Sequence, residues 1–225
     1  MKTIGIIGGF GPEATAQFYL RIVEDIRVRA PHKNPRIIVR HVFVPEKLEH
    51  DALVLGKNLD AFIPSLISAA KDLERVGADI IVLPCNTLHI HERNIRESVH
   101  VPFISIITST INHLIRHNIT HVGLLGSRVT IKENLFKKLQ PKITFTNVPS
   151  ALQKKIDLGL QRFVSIHNSQ DLTDTLKASF IFFKQRDIQH VLIACTDFHA
   201  LCPEITPPYI HDTLDILAQA TVDML

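Results

Sequence analysis

Two cysteines in matched settings are the residues of this chain best suited to chemistry. Cys85 follows the apolar run Ile80 to Leu83 and Pro84, and Cys195 follows Val191-Leu192-Ile193-Ala194. Each run reads as a buried strand. Each thiol is followed by short polar residues, Asn86-Thr87 and Thr196-Asp197, and by a histidine four positions on, His89 and His199. Asn86 or Thr87 can cap a helix that starts there, which puts Cys85 at the mouth between strand and helix. Cysteine is among the most buried residue types, so one thiol after a strand is ordinarily core. A matched pair points to acid/base work, because a free thiol titrates near pH 8.5 and its surroundings move that value. One sulfur takes a proton from one face of a carbon, and the other returns a proton to the opposite face. Asn86, Thr87 and Thr196, with nearby backbone N–H groups, can hold a carboxylate and the enediolate that develops. His89 and His199 either polarise a thiol or cap and pack.

The elements around these residues alternate between strand and helix. Thr3 to Ile7 is an apolar strand followed by Gly8-Gly9-Phe10-Gly11-Pro12 and a helix from Glu13 to about Arg29. The spacing matches neither the dinucleotide fingerprint nor the P-loop, and Gly9 and Gly11 read as a backbone cradle for a small anion. Pro35 to Val44 is a second strand, residues 45–56 a loop, and Leu59 to Val76 a helix closed by Gly77. The pattern then restarts: His121-Val122-Gly123-Leu124-Leu125-Gly126-Ser127 parallels Thr3-Ile4-Gly5-Ile6-Ile7-Gly8-Gly9. The glycines are 118 apart (123 minus 5) and the cysteines 110 apart (195 minus 85). Two features at nearly one period argue for a duplicated β-α unit. The expected architecture is α/β, with two pseudo-symmetric parallel-sheet domains and the active-site cleft between them. The expected boundaries are 1–102 plus 207–225 for the first domain and 103–206 for the second. Ligands of such sheets bind beyond the carboxyl ends of the strands, where the Gly8 loop, Cys85, Ser127 and Cys195 all fall. The final helix, Asp212 to Leu225, is expected to pack back on the first half.

The 225 residues, 45 % hydrophobic and 21 % charged, suffice for a sizeable core. A net charge of +3 without basic clusters argues against nucleic acid. No apolar run reaches membrane-spanning length, and the N-terminus lacks the order of a signal peptide, so a cytoplasmic protein is expected. Three cysteines make no disulfide framework, and Cys202, followed by proline, reads as structural. No metal-ligand spacing occurs, so no metal is expected.

At these residues the sequence resembles the aspartate/glutamate racemase family, in its cofactor-independent aspartate racemase branch. The carriers are Gly8 through Thr15, Pro84 through His89, and Cys195-Thr196-Asp197, with Ser127 and Thr130 as small hydroxyl residues after a central strand. The resemblance implies two domains, two catalytic cysteines, no pyridoxal phosphate or other cofactor, an acidic amino acid as substrate, and a homodimer. Three positions depart from the family. Asp197 stands where glutamate is usual. Lys47 stands where an arginine binds the distal carboxylate, keeping the charge but not the bidentate fork. Ser165 stands where a lysine is expected, with Arg162 close by. The alternatives are a hydantoin racemase-like or other cysteine-dependent enzyme of the superfamily, and a non-catalytic small-anion binding homologue.

Overall fold

A computed structural model describes residues 2–29, 31, 35–166, 168–204 and 209–225, with main chain only at 46, 53–54, 200 and 202–204. The Cys202 side chain and Pro207-Pro208 therefore lie outside the described residues. Chain order is β1 (Thr3–Gly8), α1 (Pro12–Arg29), β2 (Arg36–His41), α2 (Glu46–His50), α3 (Ile63–Arg75), β3 (Ile80–Val82), α4 (Glu92–Ser98) and β4 (Phe103–Ile104). It continues with α5 (Ile106–Arg116), β5 (His121–Gly126), α6 (Arg128–Lys132), α7 (Leu135–Leu139), β6 (Thr144–Asn147), α8 (Ser150–Ile166), α9 (Gln170–Lys184), β7 (Val191–Ala194), β8 (Ile210–Asp212) and α10 (Thr213–Val222).

Two four-stranded sheets result, ordered β2-β1-β3-β4 and β6-β5-β7-β8, with every pairing parallel. β5 occupies the place of β1 and β7 that of β3, so the two cysteine strands are topological equivalents. Sheet membership divides the chain elsewhere than 102/103 and 206/207. Phe103–Ile104 pairs with β3 in the first sheet, and Ile210–Asp212 pairs with β7 in the second. The crossings between halves are made by helices α5 and α10 instead.

The central strands are apolar on both faces, as parallel sheets require. Ile4, Ile6, Ile80 and Val82 face a core shared with Val122, Leu124, Leu192 and Ala194 of the other sheet. Phe18 and Ile22 of α1, Ile111 and Leu114 of α5, and Leu214 and Leu217 of α10 fill the space between. The final helix thus packs on α1 and α5, as the sequence predicts. The opposite faces carry separate cores, Ile7, Ile81 and Leu83 against α3, and Leu125, Val191 and Ile193 against α8 and α9. Gly5 and Gly123 do the same work in the two halves. A Cβ at Gly5 would lie 2.8 Å from Ala78 Cβ, and one at Gly123 would lie 2.7 Å from the Phe183 ring. Their absence lets the covering layer sit close to the middle strand.

The stretch expected as a loop over 45–56 is mostly helical. Pro45 precedes α2, and a π-helical turn over Asp51–Leu55 ends at Gly56, whose φ of 61° is left-handed. Pro45 and helix-forming Glu, Lys and Leu outweigh the loop reading there. Two short helices, α6 and α7, follow β5 and are separated at Asn134, whose φ of 51° is left-handed. Among the described residues, no helix is long and apolar enough to cross a membrane.

Candidate active site

Both cysteines line one small chamber at the carboxyl ends of β3 and β7. Its wall includes Phe10, Glu49, Cys85, Asn86, Thr87, Cys195, Thr196 and Asp197, and its volume is about 40 Å³. A larger outer cavity of about 270 Å³, with Gly9, Glu13, His41, Phe43, Phe163 and Val164 in its wall, lies beside it. Gly11, Val44, Glu49 and Asp197 belong to both walls and form the collar between them. The two cysteines are free thiols.

The loops after the cysteine strands are laced together across the halves. Thr196 donates its hydroxyl hydrogen to the carbonyl of Pro84 (3.1 Å), and Asn86 Nδ2 donates to Thr213 Oγ1 (2.8 Å). The Thr87 and Ser127 hydroxyls share a hydrogen bond of 2.8 Å, and Ser127 pairs in turn with Thr130 Oγ1 at 3.1 Å. Asn86 and Thr87 therefore do not cap the turn that follows Cys85 with their side chains. Asn86 Nδ2 and the Thr87 hydroxyl are instead spent on joining the loop after the cysteine strand to Thr213 and Ser127. Ser127 and Thr130 are fully buried beneath Thr87 and do not line the chamber; Ser127 also caps α6.

His89 has a definite tautomer. The Ile106 N–H donates to His89 Nε2 (3.1 Å), so Nδ1 carries the proton and donates to the Cys85 carbonyl (2.7 Å). Burial pushes its pKa down to about 4, so the ring is neutral and anchors the Cys85 backbone. His199 turns elsewhere. It pairs with Asp212 (2.9 Å), whose carboxylate holds its pKa up, and Asp215 lies within the same cluster. Arg21 reaches Asp215 at 3.1 Å and supplies positive charge there.

The thiols differ in their neighbours. Burial pushes Cys85 up to about 12, against the pull of the Leu88 and Thr87 backbone N–H groups, with the negative charge of Asp197 adding to the rise. Burial also pushes Cys195 well above the usual thiol range, and Asp197 raises it further. The Cys195 sulfur donates to Asp197 Oδ2 at 3.7 Å. Asp197 itself is pushed up to about 7, by burial first and then by the charges of Glu49 and Glu13. A Cβ at Gly11, whose φ is 83°, would come within 2.6 Å of Asp197 Oδ1, so glycine there is what admits the carboxylate.

A profile of the Asp/Glu/hydantoin racemase family matches residues 7–221. This chain belongs to that family. It is an enzyme of the isomerase class. It is 26 % identical over 233 residues to the broad specificity amino-acid racemase RacX of Bacillus subtilis (strain 168), covering 97 % of this chain and 96 % of that one. Picrophilus torridus aspartate racemase has the same fold at a TM-score of 0.83 and 21 % identity, over 100 % of this chain and 94 % of that one. An aspartate racemase homologue from Pyrococcus horikoshii OT3 superposes at 0.77 with 23 % identity, over 100 % and 99 %.

Against the positions expected from this racemase family, Lys47 is exposed on α2 and is not among the described residues lining either cavity. Ser165 is exposed too, and Arg162 pairs with Asp171 on the surface, while Phe163 and Val164 of the same helix line the outer cavity. Glu49 was not legible as a site residue. It belongs to the helical stretch read as a loop, and only recognising α2 would have placed Lys47 and Glu49 on different faces.

Proposed function

We propose that the protein is a cofactor-independent amino-acid racemase in which Cys85 and Cys195 are the two bases. The observation that carries this reading is that both thiols line the same chamber. The thiolate of one removes the α-hydrogen as a proton, leaving the electron pair in an enediolate. The thiol of the other then protonates the opposite face. The products are the inverted amino acid, a thiol where the thiolate stood, and a thiolate where the thiol stood. No further reactant is needed for the balance.

Both thiols resist ionisation in this buried setting. Asp197, near half-ionised at neutral pH and in contact with Cys195, is suited to take that thiol's proton as substrate enters. The α-ammonium brings positive charge next to both sulfurs and favours thiolate. Asn86 Oδ1 has no hydrogen-bond partner among the described residues and suits the ammonium as an acceptor. The Thr87 and Leu88 N–H groups beside Cys85 suit an anion. A cytoplasmic homodimer belongs to the same reading, and sedimentation of the purified protein tests the assembly.

The deciding measurement follows α-hydrogen exchange in deuterated water over a panel of L- and D-amino acids. Exchange accompanied by inversion is expected, with Cys85→Ser and Cys195→Ser each lowering kcat/KM on the order of 10³-fold. Wild-type rates in either variant would remove the two-thiol scheme. Ligand-induced thermal stabilisation without exchange of any amino acid would favour a binding protein instead.

A further inference from the structure

We propose that the substrate's side chain is short and apolar, of alanine to 2-aminobutyrate size, and that Ala52 and Phe62 set its length. This rests on the racemase reading and names its substrate class. On that reading the α-hydrogen faces a thiol, the carboxylate lies at the Thr87 and Leu88 N–H groups, and the ammonium lies at Asn86 Oδ1. The side chain is the fourth substituent, and it takes the wall that these groups leave. Five apolar side chains of the first half form that wall: Phe10, Val44, Ala52, Phe62 and Leu88. Four of them are buried in one hydrophobic cluster, and Val44 packs against it. Phe10 and Phe62 meet edge to face with ring centroids 5.7 Å apart, which makes a defined aromatic corner.

The hydroxyls beside the thiols are already engaged, that of Thr87 with Ser127 and that of Thr196 with the Pro84 carbonyl. A carboxylate or hydroxyl set against the five apolar side chains gives up water and gains no hydrogen bond from them. A methyl or ethyl group gains from the same burial. Length follows from volume. The chamber of about 40 Å³ holds roughly three water-sized spaces at about 10–15 Å³ each, enough for the reacting centre and one or two side-chain carbons. Ala52, in the π-helical turn Asp51–Leu55, is the smallest residue of this wall, and Phe62 is among the largest. Enlarging the one and trimming the other should therefore move the preferred length in opposite directions.

The test measures racemisation of alanine, 2-aminobutyrate, norvaline, methionine, serine, lysine, aspartate and glutamate by the full-length wild type, Ala52→Val and Phe62→Leu. Expected is a wild-type kcat/KM for 2-aminobutyrate at least about tenfold above that for serine, its near-isostere, and about 10²-fold above those for aspartate and glutamate. Ala52→Val should raise the alanine-to-2-aminobutyrate ratio about tenfold, and Phe62→Leu should raise the norvaline-to-2-aminobutyrate ratio by a similar factor. A wild-type preference for aspartate, glutamate, lysine or methionine would overturn the proposal and leave the racemase intact. So would equal changes on all substrates in both variants, which is what a purely structural role for Ala52 and Phe62 gives. Absence of α-hydrogen exchange with every amino acid would take down the racemase reading and this one together.

Discussion

The Cys85 half and the Cys195 half share a frame and differ in what stands beside the sulfur. β1 and β5 are the centres of equivalent sheets, β3 and β7 their cysteine strands, and Gly5 and Gly123 their close-packed points. Beside Cys85 stand backbone N–H groups and a neutral His89 whose nitrogens are both occupied. Beside Cys195 stands a carboxylate on the same loop, two residues on. A duplicated scaffold puts two thiols at one chamber, while unequal neighbours give them unequal means of losing a proton. Symmetry of position does not bring symmetry of proton affinity.

The largest expected effect removes that difference. Asp197→Asn takes the proton acceptor from Cys195 alone, and kcat should fall about 10²-fold. L and D forms have equal free energy, so kcat/KM stays equal in the two directions even in the variant. The asymmetry is read instead from the α-deuterium isotope effect, which should become larger for the enantiomer whose hydrogen Cys195 removes. Equal isotope effects would show that Asp197 does not act through that thiol. The same variant should be more stable than wild type above pH 7. A carboxyl whose folded pKa is raised to about 7 contributes stability at low pH that is lost as pH rises through that value. A lower Tm for Asp197→Asn at pH 8 would contradict this.

Next in size is the shared frame. Gly5→Ala and Gly123→Ala each force a methyl group into contacts of 2.8 Å and 2.7 Å, and each should cost about 1–3 kcal/mol in urea unfolding with the slope unchanged. Clearly unequal costs would mean that the two central strands are packed less alike than their topology indicates.

A smaller effect belongs to the second half alone. His211 on β8 hydrogen-bonds His113 of α5 and His190, both at 3.1 Å, and His113 stacks on His117. Burial, helped by the charges of those neighbours, lowers His211 to about 4. A depressed histidine contributes stability above its unfolded pKa near 6.5, and that stability is lost as pH falls toward 4. Tm should therefore drop over this window, and His211→Gln should flatten the drop. In the first half, Asp79 occupies the position before β3 that His190 holds before β7, and its carboxylate accepts the Thr3 N–H (2.5 Å). An acid slope unchanged in His211→Gln would place the sensitivity outside this cluster.

Much of the frame was legible because its signals are local. Apolar runs at strand length, the glycine at the centre of each half, and a thiol at each strand end are properties of short segments, and their spacing exposed the duplication. The cysteine pair followed from the same reasoning. The roles of Asn86, Thr87 and Ser127 were not legible, because Asn86 is claimed by Thr213 and Thr87 and Ser127 by each other, partners far apart in the chain. Lys47 and Glu49 show the limit most plainly. Two residues apart in the chain, they look equally eligible for a binding site until α2 forms and turns one outward and the other to the collar. Sequence alone determined which atoms can do chemistry and which strands carry them. Tertiary structure decided the charge of the chamber, because an electrostatic field is the sum over residues brought together from Glu13, Glu49 and Asp197, and no local pattern records that sum.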